Sequence, residues 1–277
     1  MWLTASSSSR RRRSPHDRVN FGIAGRRALV TGGSRGMGRA CALALAREGA
    51  EVTILARTRE TLERTAGEIR TETGARIVAV AGDVTTEAGR DAALAACPSP
   101  DILINNADGV PPGDFRAWRR DDWIAALDAM MLAPIEMMRR TVDGMMARGF
   151  GRIVNIVSRS VKIAQPELGL SNGARSGLVG FVAGLSRQTI ARNVTINNML
   201  PGIIASDGQR RHVEGLVAGS GKSFEGIWQE RAAENPAGRY GEPAEVGAYV
   251  AFLCSTQAGF VTGQNLLIDG GQYPGTF

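Results

Sequence analysis

The sequence predicts an α/β fold: a single doubly wound parallel sheet of seven strands with helices on both faces. Three observations lead there. Seven short runs rich in Val, Ile and Leu recur from residue 26 onward, longer segments with helical apolar spacing separate them, and a glycine-rich turn follows the first run. Near-continuous apolar strands joined by helices imply a parallel sheet covered on both sides. Such a sheet binds its ligands beyond the carboxyl ends of its strands.

The runs, in order, are RALVTGG, EVTILAR, RIVAVAGDV, DILINNA, GRIVNIVS, NVTINNMLPG and QNLLIDGG. Helical patterns between them include RACALALAREGA, TRETLERTAGEIRTETG and DDWIAALDAMMLAPIEMMRRTVDGMMARG, the last read as one long helix. A length of 277 residues suits one large domain, placed at 19–277. Residues 1–18, MWLTASSSSRRRRSPHDR, have no apolar periodicity and read as a disordered extension. Their Arg- and Ser-rich composition resembles an organellar targeting segment. The plainer expectation is a solvated tail, or a start placed upstream of a true start at Val19.

Composition narrows the function. The net charge is +6, but much of the excess sits in Arg10–Arg13, and no aromatic residues interleave with basic ones. Nucleic-acid binding is therefore not expected. No apolar run reaches the ~18–20 residues of a membrane span. Cys41, Cys97 and Cys254 are scattered, which argues against a disulfide framework or zinc site and suits a reducing cytoplasm. The only histidines are His16 and His212, too few for a histidine-based metal site.

After the first strand comes TGGSRGMG, with Gly32, Gly36 and Gly38 at a strand-to-helix turn. Glycine lets the main chain approach a ligand closely. The helix that begins there directs free N–H groups and its positive end at a phosphate. Its place after the first strand makes this turn a dinucleotide site, with Thr31, Gly32, Ser34, Arg35, Gly36, Met37 and Gly38 as its residues.

This spacing resembles the short-chain dehydrogenase/reductase family, and 3-oxoacyl-carrier-protein reductases within it. The resemblance covers about residues 20–273. INNADG (104–109) is similar to the family's Asn-Asn-Ala-Gly motif, with Asp108 in place of the usual glycine. GDV (82–84) resembles an adenine-contacting turn, LPG (200–202) a Pro-Gly turn, and the ending GRYGEPAEVGAYVAFLCSTQAGFVTGQNLLIDGG is typical of the family. The resemblance implies a Rossmann-type fold and adds Asp83, Val84, Asn106, Ala107, Pro201 and Gly202 to the cofactor site.

The end of the second strand bears on which cofactor. An acid there would bind the ribose 2′-hydroxyl of NAD. This chain has Arg57, with Arg35 in the glycine turn. A guanidinium binds phosphate through two parallel hydrogen bonds, so NADP is expected. Arg59 is expected to be a surface residue.

The resemblance also implies a catalytic set of serine, tyrosine, lysine and asparagine. Matched by position, these are Ser158, Ser171, Arg175 and Met130. No small register error restores the tyrosine, since Tyr240, Tyr249 and Tyr273 are the only ones. Arg175 keeps a positive charge one helical turn from Ser171 and can hold the nicotinamide ribose. Ser158 and Ser171 can bind a carbonyl oxygen, or be ordinary polar positions. Lys162 is the candidate substitute acid, against a solvated loop lysine; Asp108 and Glu167 are weaker candidates. Residues 203–236 match the family's mobile lid, where Arg210, Arg211 and Lys222 either meet an anionic or thioester substrate or form a solvated face. Met131, Met137 and Met138 are expected in the core or at a subunit contact. The family's habit implies a homo-oligomer, dimer or tetramer. Two functions follow: an NADP-dependent oxidoreductase moving hydride between nicotinamide and a carbonyl or acyl-thioester substrate with a non-standard proton donor, or a catalytically impaired nucleotide-binding sensor or partner subunit.

Overall fold

A computed structural model describes residues 19–276; the expected tail at 1–18 lies outside the described residues. Each of the seven apolar runs becomes a strand: β1 (Arg27–Thr31), β2 (Glu51–Ala56), β3 (Ile77–Ala81), β4 (Ile102–Asn106), β5 (Gly151–Ile156), β6 (Val194–Pro201) and β7 (Asn265–Ile268). All pair in parallel, in the order β3-β2-β1-β4-β5-β6-β7. The order reverses between β1 and β4, and this opens a crevice at their carboxyl ends.

Ten helices are described: α1 (Gly36–Arg47), α2 (Arg59–Thr73), α3 (Glu87–Ala96), α4 (Arg120–Leu127), α5 (Ala133–Arg139), α6 (Val142–Arg148), α7 (Gly169–Thr189), α8 (Asp207–Ser220), α9 (Phe224–Glu234) and α10 (Pro243–Leu253). Side-chain alternation divides the core between the two faces of the sheet. Val30, Ile54, Ile104 and Met199 meet Leu45 of α1, Ile69 of α2 and Val250 of α10. Leu29, Leu103, Ile153 and Ile196 face the other way, onto Met137 of α5, Met145 of α6 and Leu178 of α7. Met137 and Met138 are fully buried core residues, and Met131 packs beside the same cluster. No described helix is long and apolar enough to cross a membrane.

The segment expected to be one long helix is broken twice. Between α4 and α5 the backbone widens into a π-turn at Asp128–Leu132, and Ala133 N–H bonds the carbonyl of Asp128. Pro134, which has no N–H to continue the regular ladder, follows at once. Between α5 and α6 the Thr141 hydroxyl donates to the Met137 carbonyl (2.8 Å), competing with the backbone ladder.

A ladder of asparagines, three buried and the last half-buried, crosses four strands. Asn105, Asn155, Asn198 and Asn265 sit opposite one another in the registers of β4, β5, β6 and β7. Asn105 Nδ2 donates to Asn155 Oδ1 (2.8 Å), Asn155 Nδ2 to Asn198 Oδ1 (3.0 Å), and Asn198 Nδ2 to Asn265 Oδ1 (2.8 Å). A shift of one residue on any strand would bury amides without partners. Asn155→Ala leaves a donor and an acceptor unpaired in the core. It is expected to lower stability by about 2–4 kcal/mol, measured by urea titration; a loss below about 1 kcal/mol would mean that the ladder does not hold the register.

Candidate active site

The glycine turn is shaped by close backbone contacts. Gly32 has a φ of +60°, and a Cβ there would lie 2.5 Å from Asn106 Nδ2. A Cβ on Gly38 would lie 2.1 Å from the Gly32 carbonyl oxygen, so the first turn of α1 rests directly on the loop. Thr31 Oγ1 donates to the Asn106 carbonyl (3.0 Å) and accepts from Asn106 N–H (2.9 Å), and Asn106 Nδ2 donates to the Gly32 carbonyl (3.2 Å). Thr65 Oγ1 holds the Ser34 carbonyl (2.8 Å). No side chain caps the start of α1, so its first N–H groups are left for a phosphate. This cradle fits a dinucleotide: only the missing Cβ atoms let the loop lie so close to its neighbours.

One cleft runs from this turn across the sheet. Its walls include Gly32, Ser34, Arg35, Gly36, Met37, Arg57, Asp83, Val84, Asn106, Ala107, Pro201 and Gly202. Thr31 and Gly38 are not on the wall; they brace the turn from behind. Asp83 Oδ1 accepts from the Thr85 N–H and hydroxyl (2.9 and 2.8 Å), which fixes the carboxylate on the cleft wall.

Ser158, Ser171 and Arg175 line the same cleft. The chain leaves β5 at Ser158, whose Oγ accepts from Ser160 N–H (3.1 Å). Helix α7 carries Ser171 and Arg175 one turn apart, and Arg175 Nε donates to Ser171 Oγ (3.0 Å). Arg175 Nη1 donates to the Ile156 and Val157 carbonyls (3.0 and 2.6 Å). Arg175 is 7% exposed and has no carboxylate partner among the described residues. Burial lowers its pKa to about 10, so it remains a cation at neutral pH.

Two of the positions singled out in the sequence do not face the cleft. Lys162 is not on the cleft wall; its ammonium lies over the Tyr273 ring, 5.1 Å from the centroid. The short turn at Arg159–Val161 carries the chain away from Ser158 and directs the lysine to the C-terminal segment. Met130 is buried in a small cluster with Ala126, Leu170 and Ala174, while its neighbour Ala129 reaches the cleft. The π-turn sets which of the two faces inward.

The arginines of the cleft fall into two groups. Arg57 Nη2 donates to Asp108 Oδ2 (3.1 Å), and Arg211 Nη2 donates to Asp108 Oδ1 (3.2 Å). The carboxylate that replaces the expected glycine thus joins the end of β2 to α8. Arg35 and Asp207 make a second, looser link between the glycine turn and α8 (3.9 Å). Arg59 is exposed. Lys222 pairs with Glu230 (2.6 Å), and Arg210 lies over Trp228, so neither is poised at the cleft. By contrast Arg159, Arg231 and His212 line the cleft, and the sequence reading missed all three. Burial, then Arg231, hold His212 below the usual histidine range, with Glu167 opposing. The position of Arg159, directly after Ser158, was the one available signal; Arg231 and His212 arrive from α9 and α8 only through folding.

Comparison with known proteins gives a consistent picture. A family profile described as enoyl-(acyl carrier protein) reductase matches residues 32–272. The chain is 32% identical over 257 residues to a 3-oxoacyl-[acyl-carrier-protein] reductase of Vibrio harveyi, covering 91% of this chain and 98% of that protein. It is also 32% identical, over 251 residues, to an acetoacetyl-CoA reductase of Shinella zoogloeoides, covering 89% and 98%. Among solved structures, L-sorbose reductase from Gluconobacter frateurii complexed with NADPH and L-sorbose superposes with a TM-score of 0.87 at 29% identity, covering 93% of this chain and 100% of that one.

The Asp108 carboxylate occupies two guanidinium groups that a phosphate would otherwise meet. Asp108→Asn is expected to tighten binding of adenosine 2′,5′-bisphosphate by up to about fivefold in calorimetry, with the gain shrinking at high salt. An affinity that stays the same at low salt would show that this bridge does not compete for the anion.

Proposed function

The chain belongs to the short-chain dehydrogenase/reductase family, and from that premise we propose an NADPH-dependent reductase of ketones or 3-oxoacyl thioesters. The observation that carries this reading is the hydrogen-bonded Ser171–Arg175 pair, facing Ser158 in the same cleft as the glycine cradle and Arg57. NADPH fits the cradle, with its pyrophosphate at the start of α1. Arg57, with no acid at that position, favours a 2′-phosphate over a bare ribose hydroxyl. The NADPH complex of the sorbose reductase and the names of the Vibrio and Shinella relatives support the same cofactor and substrate class.

When bound, the cofactor supplies a hydride to the carbonyl carbon. The protein's part is to orient the carbonyl and stabilise the charge that develops on its oxygen. Ser158 Oγ and Ser171 Oγ each accept a hydrogen bond from the protein. Their own hydroxyl hydrogens are therefore available to the substrate oxygen. Arg175 cannot shed a proton readily at neutral pH, but its buried charge polarises Ser171 and favours the alkoxide. The alkoxide takes its proton through Ser171, which is replenished from water in the cleft. This is a slower arrangement than a tuned phenol, because positioned general acids contribute ~10²–10⁴ in rate.

Ile124 on α4, Leu132 in the π-turn and Phe181 on α7 are large apolar side chains left 45%, 47% and 39% exposed. We propose that they meet a second copy of the chain. Phe181→Glu is expected to shift the protein to a smaller species in sedimentation velocity; one unchanged species would remove α7 from any interface.

The deciding assay follows NADPH and NADH consumption with a panel of ketones and 3-oxoacyl thioesters, with nucleotide binding measured in the same sample. Turnover with NADPH in preference to NADH is expected. Tight nucleotide binding with no turnover on any carbonyl would favour the sensor or partner role. In the same assay the double variant Ser171→Tyr, Arg175→Lys is expected to raise the rate by ~10²–10³. A rate that falls instead would mean that the serine–arginine pair is itself tuned to the reaction.

A further inference from the structure

Arg159 and Arg231 share the cleft wall with Ser158, Ser171 and Arg175. Arg159 is 7% exposed, and its guanidinium has neither a hydrogen bond nor an ion pair with any described residue. Arg231 is half-buried; its guanidinium reaches the Tyr240 hydroxyl, but its Nε is buried and without an acceptor. Burial, and then the nearby charge of Arg231, lower the pKa of Arg159. Buried guanidinium groups ordinarily have anionic partners, since an unpaired buried charge is costly. Asp269 is the carboxylate that acts on Arg159, without pairing with it, and its oxygens accept from the N–H groups of Gly271 (3.1 Å) and Tyr273 (2.9 Å). Every other arginine side chain at this cleft has a partner: Arg35 with Asp207, Arg57 and Arg211 with Asp108, and Arg175 with two carbonyls and Ser171.

The cofactor's phosphates do not reach this pair. Arg57 ends β2 and Arg159 follows β5, and β1 and β4 lie between those strands. Three strand spacings put the two positions roughly 14 Å apart. The pyrophosphate belongs at the start of α1, which follows β1. Arg159 instead adjoins Ser158, on the side where the carbonyl must sit. His212, held below the usual histidine range by burial and then by Arg231, adds a neutral N–H donor on the same wall.

We infer that the substrate carries a carboxylate or phosphate group, bound by Arg159 and Arg231 beside the reacting carbonyl. The anion completes the unpaired Arg159 guanidinium and the open Nε of Arg231, and fixes the carbonyl between Ser158 and Ser171. Two converging guanidinium groups favour anions that accept several parallel hydrogen bonds. This inference rests on the reductase reading for its chemistry, but not for its binding site.

The test uses the full chain and two separable readouts. Calorimetry with malonate and with inorganic phosphate reads the anion site without turnover; whichever binds more tightly assigns the carboxylate or the phosphate source. Arg231→Gln is expected to weaken the better probe at least tenfold. Arg159→Lys, which keeps the charge but loses the fork, is expected to weaken it less, and nucleotide binding checks that both variants fold. Arg57→Gln is expected to leave the probe's affinity unchanged while weakening adenosine 2′,5′-bisphosphate, which separates the two anion sites. In the reductase assay, acetoacetate or a 3-oxo phosphate is expected to exceed its neutral ester in kcat/KM by at least tenfold, and Arg231→Gln to remove that preference. Failure of both probes to bind, or equal use of charged and neutral ketones, overturns the inference. Arg231-dependent probe binding without turnover would keep the anion site and remove the reductase reading.

Discussion

The asparagine ladder across β4, β5, β6 and β7 is the constraint from which the site's geometry follows. Each rung pairs one amide with the next at fixed register. The residues that follow the ladder on each strand are therefore held at fixed heights, with β6 and β7 running further past it than β4 and β5. Asn106 follows one ladder residue directly and is itself tied to Thr31 and Gly32. The network thus extends sideways to β1 and its glycine turn. Ser158 leaves β5 two residues beyond Ile156, the last strand residue, and Pro201 ends β6. A slip in any of these strands would move the serine away from the cofactor cradle.

On that frame, charge is distributed in two ways. The outer arginines, Arg35, Arg57 and Arg211, are about half or more exposed and paired with carboxylates. Such pairs are weak and screened by salt, so an incoming phosphate can exchange with Asp108 or Asp207 at little cost. Of the inner arginines, Arg159 and Arg175 are buried and Arg231 is half-buried. Arg175 is fixed by three hydrogen bonds to its own fold, which makes it a standing positive charge rather than a binding hand. Arg159 has no such bonds and Arg231 Nε has no acceptor, which is what the proposed anion site uses.

The serine–arginine pair shows how a change of residue type can keep one half of a chemical task. Stabilising an alkoxide needs donors and positive charge, and both remain. Delivering a proton needs a group that titrates near the working pH, and neither Ser171 nor Arg175 does so. Burial lowers Arg175 only to about 10, which leaves it charged at neutral pH.

The seven strands, the dinucleotide turn and, through the family resemblance, the Ser158–Ser171–Arg175 positions were legible in the sequence. Each depends on local signals: β-branched runs, glycine spacing, and residues one helical turn apart. The ladder also left a trace, an asparagine within each of four apolar runs, though its meaning needs the register. Other features depended on where separate segments meet. Lys162 follows Ser158 by four residues, yet a short turn sends it to Tyr273. Asp108 read as a weaker acid candidate, and only folding brings it Arg57 from the end of β2 and Arg211 from α8. Arg231 and His212 lie far along the chain from Arg159 and join it because the lid helices fold back over the carboxyl ends of the strands. By itself the sequence determined the fold and the cofactor cradle, because backbone geometry and apolar periodicity are local. The electrostatics of the substrate side were decided by the tertiary structure, because a charge acts on whatever folding brings near it.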